Sequence, residues 1–267
     1  MSFENVYWDW NEMQAAGRVP SILALGDSWF WYPFPGGSLL NCLGRLVAPK
    51  QHSILAFGNN GAEIYDYVHG KYAKAVRNAL RLFNDGSLSA VFLSGGGNDF
   101  AGFNDLRPLL RANCAGAGSA DDCFRTGDED GTLDWLMERT REAYATLIGQ
   151  ILLARNSRVK IFVHTYDYAI PSGHGVFGNN ATWLKKSLDD AEVPEGLQRD
   201  CIRKLLARFA KELDGVANQS GGRVICVDSR DTLSDDDWAN ELHPKPKGFK
   251  KIAEQKWLPA LVAEGLA

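Results

Sequence analysis

The chain has no apolar run near the ~20 residues that a membrane-spanning helix needs. Its opening residues, Met-Ser-Phe-Glu-Asn-Val-Tyr, carry neither the basic segment nor the apolar stretch of an export signal. The expected location is therefore the cytoplasm, with prior removal of an export signal as the open alternative. A basic excess is missing as well: 29 Lys and Arg stand against 33 Asp and Glu, for a net charge of −4. No basic run tracks a phosphate backbone, so nucleic acid is not an expected partner. Internal repeats and low-complexity tracts are absent, which excludes solenoids and arrays. The 5 cysteines form no CxxC pair or His/Cys spacing that would suggest zinc. Cys42, Cys201 and Cys226 sit among apolar neighbours as small hydrophobes. Cys114 and Cys123 flank a Gly/Ala/Ser-rich loop and could close a disulfide in an oxidising compartment.

What is present is ordinary globular material. The 267 residues are 45% hydrophobic and 23% charged, enough to bury a core without a disulfide or metal staple. Five short runs, 21–25, 53–57, 90–94, 159–165 and 223–227, are rich in Val, Ile, Leu or Phe without strict alternation. That pattern predicts parallel strands covered on both faces. Apolar residues at helical spacing occupy 62–83, 134–154 and 196–216, with a last helix from about Lys247. Strand and helix alternate throughout, predicting one doubly wound α/β domain over 1–267. Insertions at 101–131 and 166–195 should emerge near the C-terminal edge of the sheet as walls or a lid.

Chemistry-bearing residues recur at that edge, where open α/β sheets bind ligands. Gly26-Asp27-Ser28-Trp29 follows the first strand, Gly58-Asn59-Asn60-Gly61-Ala62-Glu63 the second, and Gly95-Gly96-Gly97-Asn98-Asp99 the third. Asn240-Glu241-Leu242-His243-Pro244 precedes the last helix. These are the parts acyl transfer needs. A serine hydroxyl becomes a nucleophile only when a base takes its proton, and imidazole titrates in the useful range. The tetrahedral intermediate needs donors aimed at its oxyanion, each worth ~3 kcal/mol of barrier. Ser28 is the candidate nucleophile and His243 the base. The Ser28 N–H, the Gly61 N–H and the Asn98 amide form the candidate oxyanion hole.

In order and spacing, Gly26-Asp27-Ser28, Gly61, Gly96-Gly97-Asn98-Asp99 and His243-Pro244 resemble the four blocks of the SGNH, or GDSL-type, hydrolases, from about residue 21 to 255. The resemblance implies a three-layer α/β/α sandwich with a flavodoxin-like, five-stranded parallel sheet. It also implies an esterase, lipase or deacetylase acting on a small-molecule, lipid or acylated-sugar ester, with no metal or other cofactor. One position departs from the pattern: Asn240 stands where the family carries the aspartate that supports the histidine. Three supports for His243 are open on sequence grounds: the Asn240 carboxamide, a carboxylate of Asp236, Asp237 or Glu241, or a backbone carbonyl. Asn240 or a carbonyl is favoured, because Glu241 and Asp237 are offset from the family position. The departure also motivates a rival reading, a catalytically weakened domain that binds an acylated or glycan ligand. A flavodoxin-like cofactor module is disfavoured, because Trp29-Phe30-Trp31 is bulky where a phosphate cradle needs small residues.

Simpler roles compete at several positions. Serine after a strand commonly caps a helix, and Asp27 and Asp99 are expected to bond loop amides rather than to react. His164 is expected in the core or in support of the site. The run Trp29-Phe30-Trp31-Tyr32-Pro33-Phe34 either packs or lines a pocket. Asp235-Asp236-Asp237 reads as a solvated face or a helix start.

Overall fold

The computed structural model describes residues 5–31, 37–83, 86–154, 159–176, 178 and 182–267. Tyr32, Pro33 and Phe34 of the aromatic run lie outside the described residues. Among the described residues one parallel sheet forms from β1 (Val6–Tyr7), β2 (Ile22–Gly26), β3 (Ile54–Gly58), β4 (Ala90–Ser94), β5 (Lys160–His164) and β6 (Val224–Val227). Their order is β1-β3-β2-β4-β5-β6. The five expected strands are β2 to β6, and β2 and β4 at the centre are buried throughout.

The sixth strand is a correction. β1 pairs Val6 with Ile54 and Tyr7 with Leu55 on the outer edge of β3. A two-residue strand carries no periodicity to detect. It is held by tertiary contacts: the Asn5 side chain donates to Gly44 O at 2.8 Å and His52 O at 3.0 Å.

Helices α1 (Trp10–Ala15), α2 (Ser28–Trp31), α3 (Leu39–Val47), α4 (Ile64–Val68), α5 (Ala73–Leu82) and α6 (Phe103–Leu106) precede the long α7 (Leu133–Leu153). After it come α8 (Lys185–Asp190), α9 (Glu195–Asn218), α10 (Pro246–Ile252) and α11 (Leu258–Ala263). The Thr132 hydroxyl caps α7 by accepting from Trp135 N at 3.3 Å. α9 starts directly after Pro194, whose fixed φ and missing N–H suit a helix start. The single helix expected over 62–83 is two helices. His69 N and Gly70 N both turn back onto Tyr65 O, and glycine is a poor helix former. The apolar stripe survives the break, because Tyr72 stacks on Tyr67 across it at 5.2 Å.

Without β1, the strand order is the flavodoxin-like 2-1-3-4-5. The connections reverse direction between β2 and β4, so the crevice beyond those two strands is the topological switch point. Beneath it, Phe92 of β4 lies beside Phe162 of β5, ring centroids 5.4 Å apart. A wide helical turn at Ala253–Trp257 drives Trp257 against both rings, at 5.2 and 6.0 Å. Trp257 is fully buried. Trp257→Ala should therefore cost about 3–5 kcal/mol in urea unfolding; a loss under about 1 kcal/mol would mean that the cluster does not anchor the sheet.

Candidate active site

Ser28 opens α2 one residue after Asp27, which caps that short helix. Phe30 N and Trp31 N donate to Asp27 O at 3.0 Å, and Trp29 N donates to Asp27 Oδ1 at 3.0 Å. The hydroxyl of Ser28 lies 2.7 Å from His243 Nε2. On the far side of the ring, Nδ1 is 3.0 Å from Asn240 Oδ1. That same oxygen accepts from Leu242 N at 3.0 Å and His243 N at 2.9 Å. Two backbone donors identify the atom facing the ring as the carboxamide oxygen rather than its nitrogen. An oxygen there makes Nδ1 the protonated nitrogen, so Nε2 presents its lone pair to the Ser28 hydroxyl. His243 is buried, and burial pushes its pKa down to about 4.

Of the three carboxylates that could have supplied charge, Asp236 is exposed, and Asp237 and Glu241 are engaged elsewhere. Asp237 accepts from Ser234 N and Oγ and pairs with Lys247 and Lys251, each at 3.3 Å. The Ser234 bonds and the two lysines hold it well below the usual carboxylate range. Glu241 is fully buried and accepts four backbone N–H bonds, from Gly173, Trp183, Leu184 and Lys185, at 2.7–3.0 Å. It clamps the 166–195 insertion onto the histidine loop, and Trp183 meets the His243 ring edge-on at 5.9 Å. Trp29 Nε1 donates to Leu242 O at 2.9 Å, tying that loop to the serine turn.

Asn98 Nδ2 carries two protons and donates one to Ala62 O at 3.0 Å. Asp99 accepts from Ile64 N at 3.1 Å, which fastens the third turn to the second; burial pushes its carboxyl up to about 7. Ser28 and Asn98 line one recess, whereas Gly61 is exposed and outside that lining. Gly61 is linked to it through Ala62 and Asn98. The glycines before Asn98 answer close approaches. A Cβ at Gly96, whose φ is +101°, would fall 2.6 Å from the Phe209 ring, and one at Gly97 would fall 3.0 Å from the Tyr166 ring.

Two residues of this region were not singled out from sequence as parts of the site, Tyr166 and Ser94; Glu241 was considered only as a support for His243, and the structure makes it a clamp on the insertion instead. Tyr166 Oη donates to Asp27 Oδ2 at 2.5 Å and accepts from Gly97 N at 3.1 Å. One hydroxyl thus joins the serine turn to the Asn98 turn. Ser94 Oγ lies between Asp27 Oδ1 at 3.1 Å and His164 Nε2 at 2.9 Å. His164 Nδ1 donates to Thr165 O at 2.7 Å. Burial pushes Asp27 up to about 6 and His164 down to about 4. His164 is the core, supporting histidine expected, and Asp27 and Asp99 bond loop amides as expected. Trp29 lines the recess and Phe30 packs in the core. Cys114 and Cys123 are buried free thiols, with Cys114 Sγ 3.5 Å from Cys123 O. A tyrosine two residues past a strand gives no sequence signal for these bonds. Tyr166→Phe keeps the ring and removes both; it should lower stability by about 1–3 kcal/mol and slow fluorophosphonate labelling of Ser28 about tenfold. Unchanged labelling would show that the hydroxyl does not position the serine turn.

These observations define an α/β sandwich with a Ser-His-Asn chain at its switch point. No protein-family model matches the chain, and no curated protein matches it in sequence. Solved structures match it in fold. It is similar to a structure described as a candidate platelet activating factor from Streptococcus pneumonia, at 13% identity and TM-score 0.54, over 91% of this chain and 85% of that one. It is similar to a candidate SGNH hydrolase from Slackia heliotrinireducens, at 14% and 0.50, over 94% and 100%. Phospholipase A1 from Streptomyces albidoflavus NA297 matches at 17% and 0.50, over 91% and 98%. The protein has the SGNH-hydrolase fold.

Proposed function

We propose that the protein is a serine hydrolase that cleaves carboxylic esters through an acyl-enzyme on Ser28. The observation that carries this reading is the 2.7 Å contact of Ser28 Oγ with His243 Nε2, with Asn240 Oδ1 on the other ring nitrogen. His243 Nε2 takes the hydroxyl proton as Ser28 Oγ bonds to the ester carbonyl carbon. The Ser28 N–H, the Gly61 N–H and the Asn98 Nδ2 group serve as donors to the oxyanion. On collapse the carbon–alkoxy bond breaks, and the departing oxygen takes the proton from His243 and leaves as the alcohol. Water then attacks the acyl-enzyme while His243 accepts its proton. The proton returns to Ser28 Oγ as the carboxylic acid departs. Sharing a fold with a phospholipase A1 supports this class of chemistry. A fluorophosphonate probe should label the parent protein and not Ser28→Ala; equal labelling would end this reading.

Asn240 orients the imidazole without lending it charge. An aspartate there would stabilise the imidazolium that forms in each step. The neutral imidazole is the working base, so activity should persist at low pH and disappear as pH falls through about 4. In Asn240→Asp, a carboxylate beside Nδ1 should move the acid limb of kcat/KM up by about 1–3 units. A limb that stays in place would mean that residue 240 does not govern the base. Asn240 also favours the second reading, a domain that binds acylated ligands without turnover. Hydrolysis of p-nitrophenyl esters by the parent protein excludes it; hydrolysis only by Asn240→Asp supports it.

A further inference from the structure

We propose that Glu241 is a positioning residue for the reaction: it closes the base of the loop between residues 173 and 185, so that Trp183 covers the His243 imidazole. The proposal rests on the ester-hydrolase reading and adds a residue that acts through the base. Both ends of that loop meet on one carboxylate. Glu241 Oε1 accepts from Gly173 N and Lys185 N, each at 3.0 Å, and Oε2 accepts from Trp183 N at 2.7 Å and Leu184 N at 2.8 Å. The main chain of Glu241 adds a fifth bond, its N–H donating to His174 O at 3.0 Å. The two ends are packed closely there. A Cβ at Gly173, whose φ is +76°, would fall 3.1 Å from the Lys185 side chain.

All four donors on the carboxylate are main-chain N–H groups, so both of its oxygens must accept. A glutamine in its place would aim an NH₂ group at two of them. Glu241 is fully buried, and a buried carboxylate is costly unless it is hydrogen-bonded. An apolar side chain would fill the same space without that cost. What the satisfied carboxylate adds is direction, since a buried polar network specifies one closed arrangement of the loop.

The clamp reaches the chemistry through the residues beside it. Asn240 Oδ1 lies 3.0 Å from His243 Nδ1, and Leu242 O takes the Trp29 indole at 2.9 Å. Trp183, whose N–H is held by Glu241, meets the imidazole edge-on at 5.9 Å. Trp183 is half-buried while His243 is only 6% exposed, so the indole forms part of the cover over the ring. Ser28 Oγ, Asn240 Oδ1 and this indole, which meet the ring, are neutral. Glu241 faces the loop amides, and Asp237 faces Lys247 and Lys251. Burial holds the imidazole down at about 4. Opening the loop would admit water, stabilise the imidazolium and raise that value.

The test compares the parent protein with Glu241→Gln and Trp183→Ala. It reads kcat, KM and the acid limb of kcat/KM on p-nitrophenyl acetate, together with an NMR titration of the His243 ring. In Glu241→Gln, kcat should fall by up to about a hundredfold with KM nearly unchanged. The acid limb and the ring titration should move up from about 4 toward the ordinary histidine value of about 6.5. Loss of a nearby negative charge would by itself move both down, because it destabilises the imidazolium. Trp183→Ala keeps the four N–H bonds to Glu241 and should also move both up, which carries the test should Glu241→Gln fail to fold. A ring titration that stays in place or moves down in either folded variant would overturn the proposal. If the parent protein cleaves no ester, the hydrolase reading falls, and the ring titration still decides whether Glu241 and Trp183 cover the imidazole.

Discussion

The carboxyl group of Asp27 joins the C-terminal ends of three neighbouring strands. It follows β2, and it accepts from Ser94 at the end of β4 and from Tyr166 just beyond β5. A third bond, from Trp29 N, closes the first turn of the serine helix on the same group. A carboxylate buried without a cation is costly, and this one responds by holding its proton up to about pH 6. The donors around it offset part of that cost and give the joint a direction. Because each donor belongs to a different strand end, the Ser28 turn and the Asn98 turn are set relative to one another by a single group.

The second hub is the four-residue stretch from Asn240 to His243. Each residue reaches a different part of the molecule: Asn240 holds the imidazole, and Glu241 gathers four N–H groups of the 166–195 insertion. Leu242 O takes the Trp29 indole, and His243 meets Ser28. Three of the amides on Glu241 come from Trp183, Leu184 and Lys185, at the start of α8, where N–H groups lack partners within the helix. Satisfying them with a buried carboxylate turns an insertion into a wall. The histidine loop therefore cannot shift without disturbing both that wall and the serine turn.

Two carboxylates close to His243 in sequence face other partners. Asn240 is neutral, Glu241 faces the insertion, and Asp237 faces Lys247 and Lys251. Burial favours the neutral form of the ring, which is the form able to accept a proton from Ser28. An apolar recess lies beside Ser28, and Asn240 gives the base orientation without charge.

Much of the fold was legible because its information is local. The five buried strands, the long helices α7 and α9 and the turns after β2, β3 and β4 all follow from residue type and spacing along the chain. The turns after β2 and β4 named Ser28 and Asn98, and the stretch before the last helix named His243, because chemistry of this kind needs particular residue types at the edge of the sheet. Less visible were β1, too short to carry a period, and the break at Gly70 within an unbroken apolar stripe. Invisible were the bonds of Tyr166, which lies 139 residues from Asp27, and the direction of Glu241, which neighbours Asn240 yet serves the insertion. The sequence by itself determined the alternation of elements and the inventory of reactive groups, since both are written in nearest-neighbour pattern. Only the tertiary structure decided that Asn240 Oδ1 faces His243 Nδ1, and which side chains line the space beside Ser28. Those depend on side chains brought together from distant strands, where a shift of about an ångström changes which atoms can bond.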